Sequence, residues 1–330
     1  MNISDIAKLA GVSRAAVSRY LNQGYLSEEK SERIRRVIEE TGYVPSTQAQ
    51  MLRTKKSRLL GVIVPKISSE AVSRIMDGIT VTAEACGYQT LLANTDNRPE
   101  KELEYLNLFS NKQVDGVIFI ATIFTDSHKR MLAEMKLPIV LVGQQLAGYS
   151  CVYHDDYGGS VELARLMTET GCKRIGFIGV DDSDLAAGLA RRQGYMTALQ
   201  SAGLPVREEL MRKGAFSMEN GYGSMEQLLR AEPDLDGVFC ATDSIAVGAM
   251  SCLRKMGISV PEQISVTGVG DTRMSKVVTP GLATMHLYYK TSGIEACSML
   301  IGKIDGRNQE MQERKLGYEI IRRDSVRKIG

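Results

Sequence analysis

Two adjacent carboxylates, Asp155 and Asp156, are the clearest candidates for acid–base chemistry in the chain. They follow an apolar segment of strand length, so we expect them at the end of a β-strand. A carboxylate pair could exchange a proton with a substrate. At a strand end, however, such residues more often cap the next helix or accept hydrogen bonds from a hydroxyl-bearing ligand. We therefore favour binding over catalysis for this pair.

The other reactive side chains form no familiar catalytic or metal-binding pattern. The three histidines, His128, His154 and His286, lack the spacing of metal ligands on a helix. The chain has no dinucleotide-binding G-x-G-x-x-G, no G-x-x-x-x-G-K-[ST] loop and no G-x-S-x-G elbow. Its six cysteines are scattered without a C-x-x-C pair, which favours reduced apolar residues. We predict a binding protein rather than an enzyme, without a cofactor or a metal.

The elements that position these residues alternate between strand and helix from residue 58 onward. The segment RLLGVIVP (58–65) is typical of a buried parallel strand, and apolar strands and helical segments follow it in turn. Two such series, separated by VYHDD (152–156), predict two Rossmann-like lobes. Ligands of open parallel sheets bind at the carboxyl ends of the strands. We therefore expect a cleft between the lobes, with Lys66, Ser68 and Ser69 at its edge.

The first 44 residues have a different pattern, which predicts three short helices. Ser4, Ser13 and Ser27 are expected to cap these helices, and Gly11 and Gly42 to end the first and the third. A helix, a tight glycine turn and a second helix form the helix-turn-helix unit. Its small core is expected to contain Ile6, Leu9, Ala10, Val12, Val17, Leu21, Leu26, Ile34, Val37 and Ile38.

Charge is distributed unevenly between this head and the rest of the chain. Residues 1–57 contain ten Lys and Arg against six Asp and Glu, a net charge of +4, whereas the other 273 residues carry −2 of the total of +2. A basic head on a slightly acidic body suggests a polyanionic partner for the head. The sequence shows neither a signal peptide nor an apolar run that could span a bilayer, so we expect a cytoplasmic protein.

Several motifs, in the same order along essentially the whole chain, resemble the lactose-repressor family of transcription factors. They include ISDIAKLAGVS (3–13), AVSRYLN (16–22), GYVPSTQAQML (42–52), LGVIVP (60–65), VDGVI (114–118) and ATDSIAVG (241–248). GYLSEE (24–29) and VYHDD are most similar to the family's sucrose- and trehalose-operon repressors.

The resemblance implies an all-α helix-turn-helix head at 1–44, a hinge helix or linker at 45–57 and an α/β sensor core at 58–330. This core would be like the periplasmic binding proteins, with an N-lobe of about 58–156 and 286–317 and a C-lobe of about 157–285 and 318–330.

In such a protein the head would bind operator DNA. A helix that opens at Ser13 places Arg14, Ala15 and Ser18 on its exposed side, where Arg14 could pair with guanine in the major groove. By resemblance, Leu52 of a paired hinge helix would wedge into the minor groove; alternatively, Arg14 is a solvated charge and Leu52 packs on the core. The full set of expected DNA contacts is Ser4, Ser13, Arg14, Ala15, Ala16, Ser18, Arg19, Asn22, Ala49 and Leu52.

The family's effector positions carry over onto Asp155, Arg191, Asp243 and Asp271. Arginine and aspartate suit hydroxyl-rich ligands because they form charge-assisted hydrogen bonds. The expected effector-binding set is Lys66, Ser68, Ser69, Asp155, Arg191, Asp243, Asp271 and Tyr289, with the tyrosine stacking on a sugar face. The alternatives to ligand binding are a structural salt bridge for Arg191 and Asp243 and ordinary packing for Tyr289. If the ligand is a sugar phosphate, Lys66 and Arg191 could together hold its phosphate.

The sequence thus predicts a homodimeric repressor of a carbohydrate-utilisation operon. Its partners would be double-stranded operator DNA and a sugar or sugar phosphate bound between the lobes, with no membrane. Two alternatives are a corepressor-dependent regulator of the same family and a sugar-binding transport protein.

Overall fold

The computed structural model describes residues 1–21, 24–43, 56–111 and 114–328. The chain divides into two compact units, Met1–Arg58 and Leu59–Gly330. The expected DNA contacts of Asn22, Ala49 and Leu52, and nearly all of the 45–57 linker, lie outside the described residues. No helix in the described part of the chain is long and apolar enough to cross a bilayer.

The first unit contains three helices, α1 (Ile3–Ala10), α2 (Arg14–Leu21) and α3 (Glu28–Thr41). The cap of α1 is Asn2, whose side chain accepts hydrogen bonds from the backbone N–H groups of Ser4 and Asp5. The expectation that Ser4 caps this helix is therefore wrong, because the helix already begins at Ile3 and Ser4 lies within its first turn. Gly11 ends α1 with φ 63°, a left-handed conformation that glycine adopts without strain.

Of the serines expected to cap α2 and α3, only the first makes a capping hydrogen bond. Ser13 is confirmed as the cap of α2, since its Oγ accepts a hydrogen bond of 3.2 Å from the N–H of Ala16. Ser27 occupies the cap position of α3, but its side chain makes no capping hydrogen bond. Gly42 ends α3 with φ 61°, as the sequence predicts.

The core of this unit differs from the expected one at three positions, since Leu9 is outside it and both Ala7 and Ala16 belong to it. Leu9 is 60% exposed. Successive residues of an α-helix are about 100° apart, which places Leu9 roughly 100° around α1 from the centre of the buried face. Ala16 is only 7% exposed and packs with the core rather than on the outer face. The buried members are Ile6, Ala7, Ala10, Ala16, Val17 and Ile34.

The second unit is built on two six-stranded sheets, which confirms the predicted fold class. The strands are β1 (Leu59–Val64), β2 (Gln89–Asn94), β3 (Gly116–Ile120), β4 (Ile139–Val142), β5 (Ser150–His154), β6 (Ile175–Gly179), β7 (Met211–Lys213), β8 (Gly237–Cys240), β9 (Ser265–Val269), β10 (Ala283–Leu287), β11 (Glu313–Leu316) and β12 (Tyr318–Ile321).

The strand orders are β11-β5-β4-β3-β1-β2 in the first lobe and β12-β10-β9-β8-β6-β7 in the second. All pairings between these described strands are parallel except that between β10 and β12.

Helices cover both faces of each sheet. They are α4 (Glu70–Ala85), α5 (Pro99–Ser110), α6 (Asp126–Glu134), α7 (Asp156–Glu169), α8 (Arg191–Ser201), α9 (Met218–Ala231), α10 (Asp243–Lys255), α11 (Arg273–Val277) and α12 (Tyr289–Ile304), with a short π-helix at Leu185–Ala190. Alternate residues of one strand enter different cores: Val62 and Val64 pack with α4 and α12, whereas Ile63 packs with α5 and α6. Burial on both faces explains why the strands are continuous apolar runs.

The chain crosses between the lobes three times, after β5, after β10 and between β11 and β12. As a result, α12 belongs to the first lobe although it follows most of the second lobe in sequence. It packs tightly on α4, where a Cβ at Gly293 would collide with the carbonyl oxygen of Ile75 and a Cβ at Gly78 with that of Lys290. The crossings bring residues distant in sequence to the carboxyl ends of both sheets.

Candidate functional site

A cavity of about 400 Å³ lies between the two lobes of the second unit. It is lined at the carboxyl ends of strands from both sheets, by residues after β1 and β3 in the first lobe and after β8 and β9 in the second. This is where open parallel sheets bind ligands. A larger cavity of about 830 Å³ lies on α9 and α10 of the second lobe, away from these strand ends.

The cavity brings together six of the eight residues predicted from the sequence. These are Lys66, Ser68, Ser69, Arg191, Asp243 and Tyr289. Asp155 and Asp271 are not among the lining residues. Their role as ligand contacts therefore stays a prediction, and each has a structural role close to the cavity.

The Arg191 side chain is held by a buried carboxylate beneath the cavity. Its Nε and Nη2 donate to Asp156 Oδ1 at 2.8 and 2.7 Å, and its Nη1 donates to the Ala241 carbonyl at 2.5 Å. Burial opposes the charge, but the Asp156 carboxylate raises the pKa of Arg191, so the guanidinium stays protonated. The partner of Arg191 is thus Asp156 and not Asp243.

Asp155 has a different role from Asp156 because it lies between the end of β5 and the first residue of α7. Its Oδ1 accepts the N–H of Gly158 at 3.1 Å and so caps α7. The same oxygen lies 2.9 Å from Lys315 Nζ. Of the two adjacent carboxylates, the first therefore stabilises the helix and the second supports the cavity.

Asp243 is fully buried at the start of α10 and is held by neutral donors. Thr284 Oγ1 donates to its Oδ1 at 2.5 Å, and the backbone N–H and the hydroxyl of Thr272 donate to its Oδ2 at 2.7 and 2.9 Å. Burial raises the pKa of Asp243 above its usual value. This carboxylate is oriented before any ligand arrives, which is the condition for strong hydrogen bonding to a hydroxyl.

A third lining carboxylate, Asp184, is one that the sequence analysis missed. Its Oδ1 accepts hydrogen bonds from the N–H groups of Ala186 and Ala187 at 3.0 and 2.8 Å, which begins the π-helix. Gln144 of the first lobe donates to the same oxygen at 3.2 Å. Burial raises the pKa of Asp184 to about 6. An aspartate before a run of small residues is a helix-cap signal, but only the opposite lobe makes this residue part of the cavity.

Asp271 lies behind the cavity in a network of basic side chains. Arg323 Nη2 lies 2.5 Å from its Oδ1, while His286 Nδ1 and Lys276 Nζ lie 3.1 and 3.7 Å from its Oδ2. Burial works against ionisation, but the hydrogen bonds from Arg323 and His286 lower the pKa of Asp271 overall. Its backbone has φ 45°, in the left-handed region. The network therefore holds the loop between β9 and α11 in an uncommon conformation.

That loop is also joined to the first lobe by a group that we call the interlobe clamp. Arg74 on α4 donates to the carbonyls of Gly270 and Asp271 at 3.4 and 2.9 Å, and Glu70 accepts the N–H of Arg273 at 3.0 Å. Glu70 and Arg74 also pair with each other at 2.7 Å. The clamp spans the cavity, so a change in its geometry would accompany any opening of the lobes.

The aromatic lining comes from Tyr289 and Phe216. Burial raises the pKa of Tyr289 to about 12, so its hydroxyl stays neutral. Its ring contacts His154 edge to face, with 5.4 Å between centroids. A neutral, positioned aromatic ring beside carboxylates suits a ligand with one apolar and one hydroxyl-rich face.

In the head, α2 exposes a polar and sparsely covered surface. Ser13, Arg14, Ala15 and Arg19 are exposed, and Ser4 and Ser18 are half-buried. Ala16 is buried against α1 and α3, so its expected approach to DNA is wrong. The exposed side of α2 thus begins with one long donor side chain beside an alanine, an arrangement that can enter a groove of DNA.

Comparison with known proteins matches this architecture in both units. Residues 2–46 match the family described as bacterial regulatory proteins, lacI family, and residues 164–326 match a periplasmic binding protein-like domain. The chain is 30% identical to the sucrose operon repressor of Staphylococcus xylosus over 97% of both chains. It is 31% identical to the HTH-type transcriptional regulator RegA of Clostridium saccharobutylicum, over 98% of this chain and 99% of that protein.

A solved structure shows the same fold. The complex of the transcriptional regulator CelR with cellobiose superposes with a TM-score of 0.77 at 29% identity, over 98% of this chain and 99% of that one. Relatives at this identity match both units of the chain. The chain therefore belongs to the lacI family of bacterial regulatory proteins.

Proposed function

We propose that this protein is a sequence-specific DNA-binding repressor of a carbohydrate-utilisation operon, controlled by a sugar or sugar phosphate bound between its lobes. The observation that carries the proposal is the meeting of Arg191, Asp243 and Tyr289 in one interlobe cavity. A guanidinium, a carboxylate and an aromatic ring together suit a hydroxyl-rich ring. The names of the relatives support this, since one is a sucrose operon repressor and another binds cellobiose.

The head supplies the second half of the function. We assign base contact to Arg14 and close approach to Ala15, with Ser13, Ser18 and Arg19 positioned for the phosphate backbone. Ser4, Asn22, Ala49 and Leu52 remain proposed DNA contacts. One helix-turn-helix reads a short half-site, so two copies of the chain on a pseudo-palindromic operator give the usual length of a specific site. We therefore propose a homodimer that acts on DNA in the cytoplasm.

The interlobe clamp gives the ligand a means of control. A ligand shifts an equilibrium only by as much as it prefers one state over the other. Contacts from Lys66 and Ser69 on one lobe and Arg191 and Asp243 on the other are made together only when the lobes are closed. We propose that the sugar stabilises this closed form and that closure changes the affinity for operator DNA.

Gel-shift titrations with a randomised operator library test the DNA part. The Arg14→Ala protein should lose base preference at one position of each half-site, because a bidentate guanine contact contributes about 1–3 kcal/mol of discrimination. Arg36→Ala is the matched control, since Arg36 is exposed on α3 in an ion pair with Glu40. It removes the same charge but should lower the affinity uniformly. Identical base preferences for Arg14→Ala and the wild type would contradict the assignment.

Adding sugar to the same titrations separates the remaining alternatives. Release of DNA on addition of sugar supports an inducer, whereas tighter binding indicates a corepressor-dependent regulator. A complete lack of salt-dependent DNA binding would favour the sugar-binding transport protein. In the proposed mechanism Arg191→Ala abolishes the response to sugar, and no residue acts as a catalyst.

A further inference from the structure

The charges around the cavity differ from those of a phosphate-binding site. Five charged side chains line it: Lys66, Glu70, Asp184, Arg191 and Asp243. Three of them are carboxylates and two are cations. Phosphate groups are normally held by arginine forks, by lysine or by free helix N-termini. The cavity has an arginine, a lysine and helix N-termini, but each is already engaged or poorly placed for a phosphate.

The arginine is already paired. Both Nε and Nη2 of Arg191 bond to Asp156, and Nη1 bonds to the Ala241 carbonyl. The pair is buried, with Arg191 and Asp156 only 6% and 5% exposed. Its remaining N–H groups can still donate to a hydroxyl, but the charge that would attract a dianion is balanced by Asp156. Arg191 is therefore suited to hydroxyl recognition.

The lysine is at the solvent end of the cavity, where Lys66 is exposed. A carboxylate of the second lobe, Glu219, lies within its electrostatic reach. Hydrogen bonds at the start of α9 lower the pKa of Glu219, and the positive charge of Lys66 adds to that effect. A single exposed lysine near a carboxylate offers little net attraction to a phosphate, because water and salt screen it.

The helix N-termini at the cavity are capped by the protein's own side chains, Ser69 on α4, Asp184 on the π-helix and Thr242 on α10. Glu70 is in the first turn of α4, Asp184 caps the π-helix and Asp243 is in the first turn of α10. A phosphate at any of these N-termini would therefore compete with an existing cap and lie near a carboxylate. Among the described residues, the hydrogen bonds to Asp184 and Asp243 come from backbone N–H, amide and hydroxyl groups and none from a cation.

From this charge distribution we infer that the cavity binds an uncharged, hydroxyl-rich sugar in preference to its phosphate ester, and that Asp184 is one of the residues that bind it. The inference rests on the proposed function, since it concerns the same cavity. All three hydrogen bonds of the Asp184 side chain within the described residues go to Oδ1, so Oδ2 remains as an acceptor for a sugar hydroxyl. A phosphate in the same place would meet two carboxylates that, within the described residues, accept no hydrogen bond from a cation.

Calorimetry on the full-length protein with matched pairs of compounds tests the preference. The pairs are glucose and glucose 6-phosphate, sucrose and sucrose 6-phosphate, and cellobiose and cellobiose 6-phosphate. We expect an uncharged member to bind at least tenfold more tightly than its phosphate. A phosphate that binds equally well or better would overturn the inference while leaving the proposed sugar control intact. If no compound binds and operator DNA still does, both the inference and the sugar part of the proposed function fail.

The role of Asp184 has a separate readout in the pH dependence of binding. The charged groups acting on it are Arg191, which favours its ionisation, and Asp156, which opposes it. An ionised carboxylate accepts a sugar hydroxyl more strongly than a protonated one, so the affinity should fall as the pH is lowered through about 6. Asp184→Asn should weaken binding of the uncharged sugar at least tenfold at pH 7.5 and remove this pH dependence.

Asp182→Asn is the matched control. Asp182 is in the same loop, but it pairs with Arg192 and Lys213 at 2.9 and 2.6 Å and does not line the cavity. This variant should keep the affinity and pH profile of the wild type. Equal affinities and equal pH profiles for Asp184→Asn and the wild type would overturn the assignment of Asp184, whatever the outcome with the phosphates.

Discussion

The buried pair of Arg191 and Asp156 supports the sharpest prediction about stability. The two side chains are 6% and 5% exposed, and two short hydrogen bonds join them. Replacing Asp156 by alanine would leave the Arg191 guanidinium in the interior without the carboxylate that bonds two of its nitrogen atoms. A buried charge that loses its counter-ion is among the few single changes with a large cost.

The expected magnitude follows from these contacts. Each hydrogen bond to a charged group contributes about 1.5–3 kcal/mol, and breaking one side of a buried ion pair costs about 3–5 kcal/mol. We expect Asp156→Ala to lower the free energy of unfolding by about 3–5 kcal/mol. The neighbouring Asp155→Ala is the control. It removes a helix cap and a partly exposed contact with Lys315, so it should cost about 1 kcal/mol.

Urea unfolding of the full chain, followed by far-ultraviolet circular dichroism, measures both changes, since the protein has no tryptophan. A double-mutant cycle with Arg191→Met isolates the pair. Removing both charges should cost less than the sum of the single changes by at least about 1 kcal/mol, because neither charge is then left alone. The reasoning would be refuted if the losses of unfolding free energy for Asp156→Ala and Arg191→Met simply added in the double variant. It would also be refuted if Asp155→Ala and Asp156→Ala lowered the free energy of unfolding equally.

Three further predictions concern other contacts. Gly293→Ala should lower the free energy of unfolding by about 1–3 kcal/mol, because its Cβ would collide with the Ile75 carbonyl. Gly302→Ala, on the open side of the same helix, should be neutral or slightly stabilising. Equal urea midpoints for the two variants would contradict this prediction. Arg74→Ala should weaken sugar binding several-fold in calorimetry by loosening the closed form, and an unchanged Kd would show that the clamp does not bias closure. The pKa of Asp271 is lowered in the folded protein, so its stabilising effect is complete above its ordinary value of 3.8 and declines as the pH falls below it. Thermal melts should therefore separate wild type from Asp271→Asn at pH 7 more than at pH 3, and the same separation at both would reject this origin.

Local patterns predicted much of this architecture. Continuous apolar strands alternating with helical segments indicated two parallel-sheet lobes, and a serine two residues after a glycine marked the start of α2. Lys66, Ser68 and Ser69 could be placed at the cavity because they directly follow a predicted strand, and strand ends share one edge of a sheet.

Features that depend on distant contacts could not be predicted. Ala15 and Ala16 are adjacent and identical in type, and only packing against α1 and α3 decides that the second is buried. Asp155 and Asp156 differ likewise by one position at a strand-to-helix junction. Asp184 accepts a hydrogen bond from Gln144, which is 40 positions away in the sequence. Arg74 donates to the carbonyls of Gly270 and Asp271, which are 196 and 197 positions away. Periodicity reports on one element at a time, so pairings of this range leave no local signal.

The three crossings between the lobes also set the order in which the protein becomes complete during synthesis. The head needs nothing beyond Thr41 for its last helix, whereas the first sheet gains its edge strand only with Glu313–Leu316 and the second with Tyr318–Ile321. At about 5–20 residues per second, the roughly 270 residues between these events take about 15–55 s on the ribosome. Throughout that interval the nascent chain carries a finished DNA-reading head and two unfinished lobes. A message cut short before codon 313 would therefore yield a head without a working sensor, rather than a repressor missing one lobe.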